Sequence, residues 1–121
     1  MIFVVLFIHS FPQGQEDRED YYQKWLDEHV IYIIIAEERA VFEMLTSAEE
    51  KENFIEQFWR RRDTDPRTAY NEFKEEHYRR IAYANDHFKS GIDGWTTDRG
   101  QIYITHGPTN LYRPPPHRRN L

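Results

Sequence analysis

Gly94-Trp95-Thr96-Thr97-Asp98-Arg99-Gly100-Gln101-Ile102-Tyr103-Ile104-Thr105-His106-Gly107-Pro108 is the stretch whose reading decides the fold. Gln101, Tyr103 and Thr105 fall on one side of an extended chain, and Ile102 and Ile104 on the other. That period of two predicts a short half-buried strand over 101–105. Asp98-Arg99-Gly100 supplies turn chemistry before it: a carboxylate able to cap backbone N–H groups and a glycine free to take positive φ. Gly107-Pro108 closes it, because proline cannot donate to a ladder and glycine permits a sharp exit. Trp95, flanked by small and polar residues, is the expected anchor. An indole sealed against neighbouring helices would contribute about 3 kcal/mol. The first reading of the whole stretch is therefore structural.

Outward from this stretch, the chain reads as helices before it and tail after it. Arg113-Pro114-Pro115-Pro116-His117-Arg118-Arg119 predicts an extended, polyproline-like segment within 109–121. Upstream, Tyr70, Phe73, His77, Ile81, Ala84 and Phe88 follow steps of three and four, an amphipathic helix of about six turns. Asp65-Pro66 reads as its N-cap and first residue, and Gly91 as its C-terminal stop. Before it, a helix burying Phe54, Ile55 and Phe58 ends in Trp59-Arg60-Arg61-Arg62. Its start offers two overlapping capping boxes, Thr46 with Glu49 or Ser47 with Glu50. Residues 37–45 predict a short helix with Ala40, Val41, Met44 and Leu45 inward. Residues 30–35 are rich in β-branched side chains and predict a second strand or an extended link, although Leu26, Val30, Ile33 and Ile34 also fit one face of a continuing helix. Residues 16–29 predict the first helix, with acidic residues in its first turn. Met1 to Ile8 is apolar but too short to span a bilayer, which takes about 20 residues. It reads as the end of a secretory signal's apolar region, with Ser10 or Gly14 near a cleavage point, or, since a basic n-region is missing, as a buried terminal strand. The expected fold is thus a small α+β domain: three or four helices, one C-terminal strand, and a second strand at 30–35. Its expected organisation is a signal remnant at 1–14, a single domain at 15–108 and a Pro/Arg-rich tail at 109–121.

Gly94-Trp95-Thr96-Thr97-Asp98, followed by Arg99-Gly100-Gln101-Ile102-Tyr103-Ile104, resembles the GWxTD-motif domain family of bacterial proteins. Phe58-Trp59-Arg60-Arg61-Arg62-Asp63 and the run from Asn71 to Asn85 are similar to the same family, as are Glu37-Glu38-Arg39 and Phe54-Ile55-Glu56-Gln57. The resemblance covers roughly residues 20–108, with several separated motifs in the right order. It implies export and supplies no agreed catalytic residue. Members look as though they continue past the Gly-Pro into more β structure, whereas this chain runs into Thr109-Asn110-Leu111-Tyr112 and the basic tail. The resemblance therefore implies a truncated or divergent C-terminal part.

A chain of 121 residues has room for one small core. Mean hydropathy is −0.88 and 31% of residues are charged, yet 16% are aromatic, enough for a compact aromatic core rather than disorder. A net charge of −5 argues against general binding to nucleic acid or to an anionic membrane. With no cysteine, disulfides, zinc–thiolate and iron–sulfur sites and thiol nucleophiles are excluded.

Three constellations are candidates for chemistry. Arg60, Arg61 and Arg62, with Arg67, Arg79 and Arg80, offer bidentate donors to an anion or an acidic partner. The competing reading pairs them with Asp63, Asp65, Glu72, Glu75 and Glu76, as in a solvated charged face. Glu75, Glu76 and His77, with Asp86 and His87, suggest a metal, but ligands sharing one ion need helical spacing of three or four, and sequential residues diverge. His77 lies on the apolar stripe, where a hydrogen-bonded core histidine is the commoner state. Asp98 and His106 flank the expected strand and would stand roughly 26 Å apart if extended, too far to share a proton. No nucleophile elbow, zinc-binding helix motif or phosphate loop is present. The expectation is a non-enzymatic, extracytoplasmic module that binds a protein or envelope partner, with no cofactor, no metal, no catalytic residue and no transmembrane span. The oligomeric state is left open. Gly94, Trp95, Thr97, Asp98, Arg99 and Gly100 are its structural motif. The alternative is a small anion- or metal-binding, enzyme-like domain using Arg60, Arg61, Arg62, Asp63 and His77. Convergence of Arg62, His77 and Asp98 on one pocket would favour the latter.

Overall fold

The computed structural model describes residues 13–108, with side-chain environments from Asp17 onward. Among these there are five α-helices and no strand. Helix α1 (Gln13–Lys24) runs into a π-helical turn (Trp25–His29); α2 (Ala36–Met44) and α3 (Ala48–Arg62) follow. Then come α4 (Glu72–His87), a 3-10 turn (Gly94–Thr96) and α5 (Asp98–His106). The α+β expectation is overturned. The signal remnant at 1–14 and the tail at 109–121 lie essentially outside the described residues.

The expected C-terminal strand is α5. Gly100, Tyr103, Ile104 and Gly107 are all buried, a spacing of three, four and seven that belongs to a helix. The alternation over 101–105 was a five-residue coincidence, and counting Gly100 and Gly107 as inward-facing reveals the competing period. The turn chemistry was helix capping. The Thr97 hydroxyl accepts from Gly100 N at 3.0 Å, Asp98 stands in the first turn, and Gly107 ends the helix at φ +81° with its N–H on Tyr103 O at 2.7 Å. The expected strand at 30–35 is a pair of turns. Val30 N donates to Trp25 O at 3.1 Å to close the π-helical turn, and Ile33 N and Ile34 N then both donate to Val30 O. The apolar step from Leu26 to Val30, both buried, prevailed over β-branched propensity.

The chain divides into two compact units, Met1–Glu56 and Gln57–Leu121. In the first, Tyr22, Trp25, Leu26, Val30 and Phe42 form the core. Trp25 lies 5.1 Å from Phe42 and 6.2 Å from Phe54, and Phe42 lies 5.3 Å from Phe54, in tilted and edge-on pairs. Burial pushes the Tyr22 phenol up to about 12, helped by the Glu52 carboxylate that accepts its hydrogen bond at 2.7 Å. Arg39 reaches Asp27 at 2.6 Å and Glu43 at 3.1 Å. The hydrogen bonds from Gln23 and Arg39 hold the Asp27 carboxyl below its usual range. Helix α2 is turned opposite to expectation: Phe42 is buried, whereas Ala40, Val41 and Met44 are exposed. Each helical position rotates the side chain by about 100°, so seating Phe42 on two rings carries its aliphatic neighbours outward. Of the two capping boxes before α3, the Ser47–Glu50 pair forms: Glu50 N donates to Ser47 Oγ at 3.1 Å, and Ser47 Oγ donates to Glu50 Oε1 at 2.8 Å.

In the second unit, Phe58 and Trp59 from α3 pack edge-on at 5.0 Å. Helix α4 starts later than Asp65-Pro66 suggested. Asn71 is its N-cap, accepting from Lys74 N at 3.0 Å while its own amide donates to Trp59 O at 2.7 Å. Asp65 instead turns the preceding loop, accepting from Arg67 N at 3.2 Å and Arg67 Nε at 2.9 Å.

Candidate functional site

The Gly94–Gly107 segment is a clasp closed on α4. Gly94 is buried, and a Cβ built there would collide with the carbonyl oxygen of Ala84, itself fully buried. A Cβ on Gly100 would collide in turn with the carbonyl oxygen of Gly94. Three backbones therefore lie in contact, α4 against the 3-10 turn and that turn against α5, and only residues without side chains permit it. Polar groups lock the stack. Trp95 N donates to Asn85 Oδ1 at 2.9 Å. The Thr97 hydroxyl donates to Gly94 O at 2.7 Å while accepting from Gly100 N. The same residue thereby caps α5 and closes the turn before it. Trp95 itself is only half-buried, and the buried partner is Gly94, so the sealed indole anchor expected from sequence is replaced by main-chain contact.

At the far end of α5, Arg80 completes the joint. Its Nη1 donates to Ile104 O at 3.3 Å, its Nε donates to Glu76 Oε1 at 3.0 Å, and its guanidinium lies where a Cβ on Gly107 would stand. Arg79 also donates to Glu76, at 2.8 and 2.7 Å. The bonds from Arg79 and then Arg80 pull the Glu76 carboxyl down to about 2. An aromatic ladder runs alongside: Tyr83 stacks on His87 at 3.8 Å and on Tyr103 at 4.5 Å. Arg99 lies over the Phe88 ring at 5.2 Å, a cation–π contact.

Of the sequence-derived candidates, His77, Arg62 and Asp63 take up structural contacts, whereas Arg60, Arg61, Asp98 and His106 are exposed. His77 is 4% exposed, parallel to Phe73 at 6.4 Å and beside Trp59 at 5.7 Å and Tyr78 at 5.8 Å. Arg62 lays its guanidinium 3.7 Å over Phe58 and donates to Phe58 O at 3.2 Å. Arg60 and Arg61 are exposed, and Asp63 accepts from Asp65 N at 3.1 Å to shape the loop after α3. Asp98 is exposed in the first turn of α5 and His106 in its last. Eight positions on a helix separate them by about 12 Å rather than the extended distance, still too far to share a proton. Among the described residues no group of three His, Asp or Glu side chains is placed to hold a metal ion. Sequence reading had Arg80 and Glu76 as a possible charge pair, which forms, and Ala84 on the apolar stripe, but it gave none of them, nor Asn85, a part in seating the motif as the α4 half of the clasp. The helical spacing of Gly100, Tyr103, Ile104 and Gly107 was the signal that could have led to them.

Among the described residues no helix is long and apolar enough to cross a membrane. The family model described as the GWxTD domain matches residues 2–117, nearly the whole chain and further at both ends than the motifs alone reach. No curated protein and no solved structure matches the chain.

Proposed function

This chain belongs to the GWxTD domain family, and from that premise we propose that it is a non-enzymatic interaction module acting outside the cytoplasm. One observation carries the reading: Thr97 of the motif and the α4 groups that seat it are spent on contacts inside the fold. Thr97 spends both hydrogen-bonding roles on Gly94 and Gly100, Asn85 is held by Trp95 N, and the imidazole of His77 is walled by rings. A catalytic group also needs a partner within reach: Asp98 is the exposed carboxylate of the motif, and His106 stands about 12 Å further along the same helix, too far to act with it in proton transfer. Exposed apolar side chains are meanwhile available for contact: Ile35, Val41 and Met44 in the first unit, Ile92 and Ile102 in the second. The apolar start of the chain, read as a signal remnant, supports export.

Pull-down from envelope fractions with the full chain tests this reading, alongside fractionation of cells expressing it. Recovery of a partner outside the cytoplasm is the expected outcome. Absence of any partner, together with turnover of a substrate that is lost in His77→Gln, would overturn it in favour of the enzyme-like alternative.

A further inference from the structure

We propose that the outer stripe of α2, formed by Ala40, Val41 and Met44 with Ile35 at its start, is the docking face for a cationic amphipathic segment of a partner protein. This rests on the interaction-module reading and deepens it by naming the partner's chemistry. Met44 is 79% exposed, Ile35 55% and Val41 51%. Single exposed aliphatics are ordinary, but Ala40, Val41 and Met44 recur at three and four positions and so form one continuous line on the helix. A second helix recognises such a line with its own apolar positions at the same spacing.

Charge selects the occupant. Glu37 lies on the same line and is exposed, while Glu43 on a neighbouring face is already engaged by Arg39. Arg39, the only cation of α2, is turned away to Asp27, Glu43 and Leu26 O. The unit that carries the stripe is acidic by composition. Met1–Glu56 holds four Lys and Arg against 13 Asp and Glu, a net charge of −9, whereas Gln57–Leu121 holds twelve against eight, a net +4. A second copy laid stripe to stripe would oppose −9 with −9, and an anionic lipid surface meets the same repulsion. A segment with apolar side chains on one face and Lys or Arg on its flanks satisfies both the stripe and its rim.

The test titrates the full chain with two synthetic amphipathic peptides of about four helical turns, one of Leu and Lys and one of Leu and Glu. The basic peptide is expected to bind, with affinity falling as salt rises, and the acidic one not to bind. Val41→Ser and Met44→Ser, both on the surface and checked for unchanged helicity, should together weaken binding about tenfold or more. Equal binding of both peptides, binding of neither, or basic-peptide binding indifferent to the two serines overturns the proposal. So does concentration-dependent dimerisation abolished by Met44→Ser, which would make a second copy the occupant. Replacing Arg113, Arg118 and Arg119 with Ser must leave peptide affinity unchanged; a rise would mean that the chain's own tail occupies the stripe. If the serine variant still recovers the wild-type set of partners from envelope fractions, this face is wrong while the module reading stands. If the wild type recovers none, that reading itself has failed.

Discussion

Each of the two units is held together internally by a different kind of contact. In Met1–Glu56 the joint is ring on ring, with Trp25, Phe42 and Phe54 meeting through tilted and edge-on contacts. In Gln57–Leu121 the decisive joint is main chain on main chain, Ala84 against Gly94 and Gly94 against Gly100. Side-chain packing tolerates some loss, because neighbours relax toward a void. A backbone contact has nothing to relax, since added volume must displace the helices themselves.

The largest expected effect follows from that contrast. Gly94→Ala should cost about 4 kcal/mol or more, read as a fall in the thermal midpoint with loss of the α5 signals by NMR. Gly91→Ala is its control: its Cβ would meet nothing within 4 Å, although φ is +74°, and the expected cost is about 1 kcal/mol. If the two alanines prove equally mild, the main-chain joint is not what holds the second unit. Next comes the ring joint. Phe42→Ala should cost about 3 kcal/mol by denaturant titration. Met44→Ala on the same helix should stay within about 0.5 kcal/mol, because its side chain is in solvent. A reversal of that order would mean that α2 faces the other way. Smaller still is the cap: Thr97→Ala should cost about 1 kcal/mol, with Thr97→Ser restoring much of it.

The pH profiles separate the units by a different readout. Glu76 is held at about 2, below its ordinary 4.5, so its ion pairs stabilise the fold above pH 4.5 and are lost as pH falls toward 2. Tyr22 runs the other way. It is raised from 10 to about 12, so its contribution is intact below pH 10 and lost as pH rises toward 12. Glu76→Gln should flatten the acid limb of stability without touching the alkaline one, and Tyr22→Phe the reverse. Either variant altering both limbs would show that the titrating group has been misassigned.

Much of the helical layout was legible. The α4 stripe through Phe73, His77 and Ala84, the Ser47–Glu50 box and the aromatic content all carry ordinary side-chain signals. Where reading failed, the determinant had no side chain or a shared one. Glycine has no hydropathy to count, so the buried line Gly100, Tyr103, Ile104, Gly107 was read as alternation about two isoleucines. At α2, four aliphatic positions outvoted one phenylalanine in the pattern, but the ring had the partners. Asp98-Arg99-Gly100 and Gly107-Pro108, taken as turns around a strand, are equally the two ends of a nine-residue helix. The candidate site followed the same rule. His77 was correctly suspected of being a core residue, and Arg80 was given nearby carboxylates as partners, as it has in Glu76; what stayed invisible is that Asn85 and Arg80 also bond backbone atoms contributed by another element.

Helix α5 is too short to persist by itself in water, where nucleation outweighs so few propagation steps. Its existence is therefore conditional on a latch that has no rotamers and one admissible register. Such a latch opens all at once or not at all. Amide protons from Thr97 through Gly107 should then exchange with solvent as one cooperative block, sharing a single opening rate even under conditions that leave α4 protected.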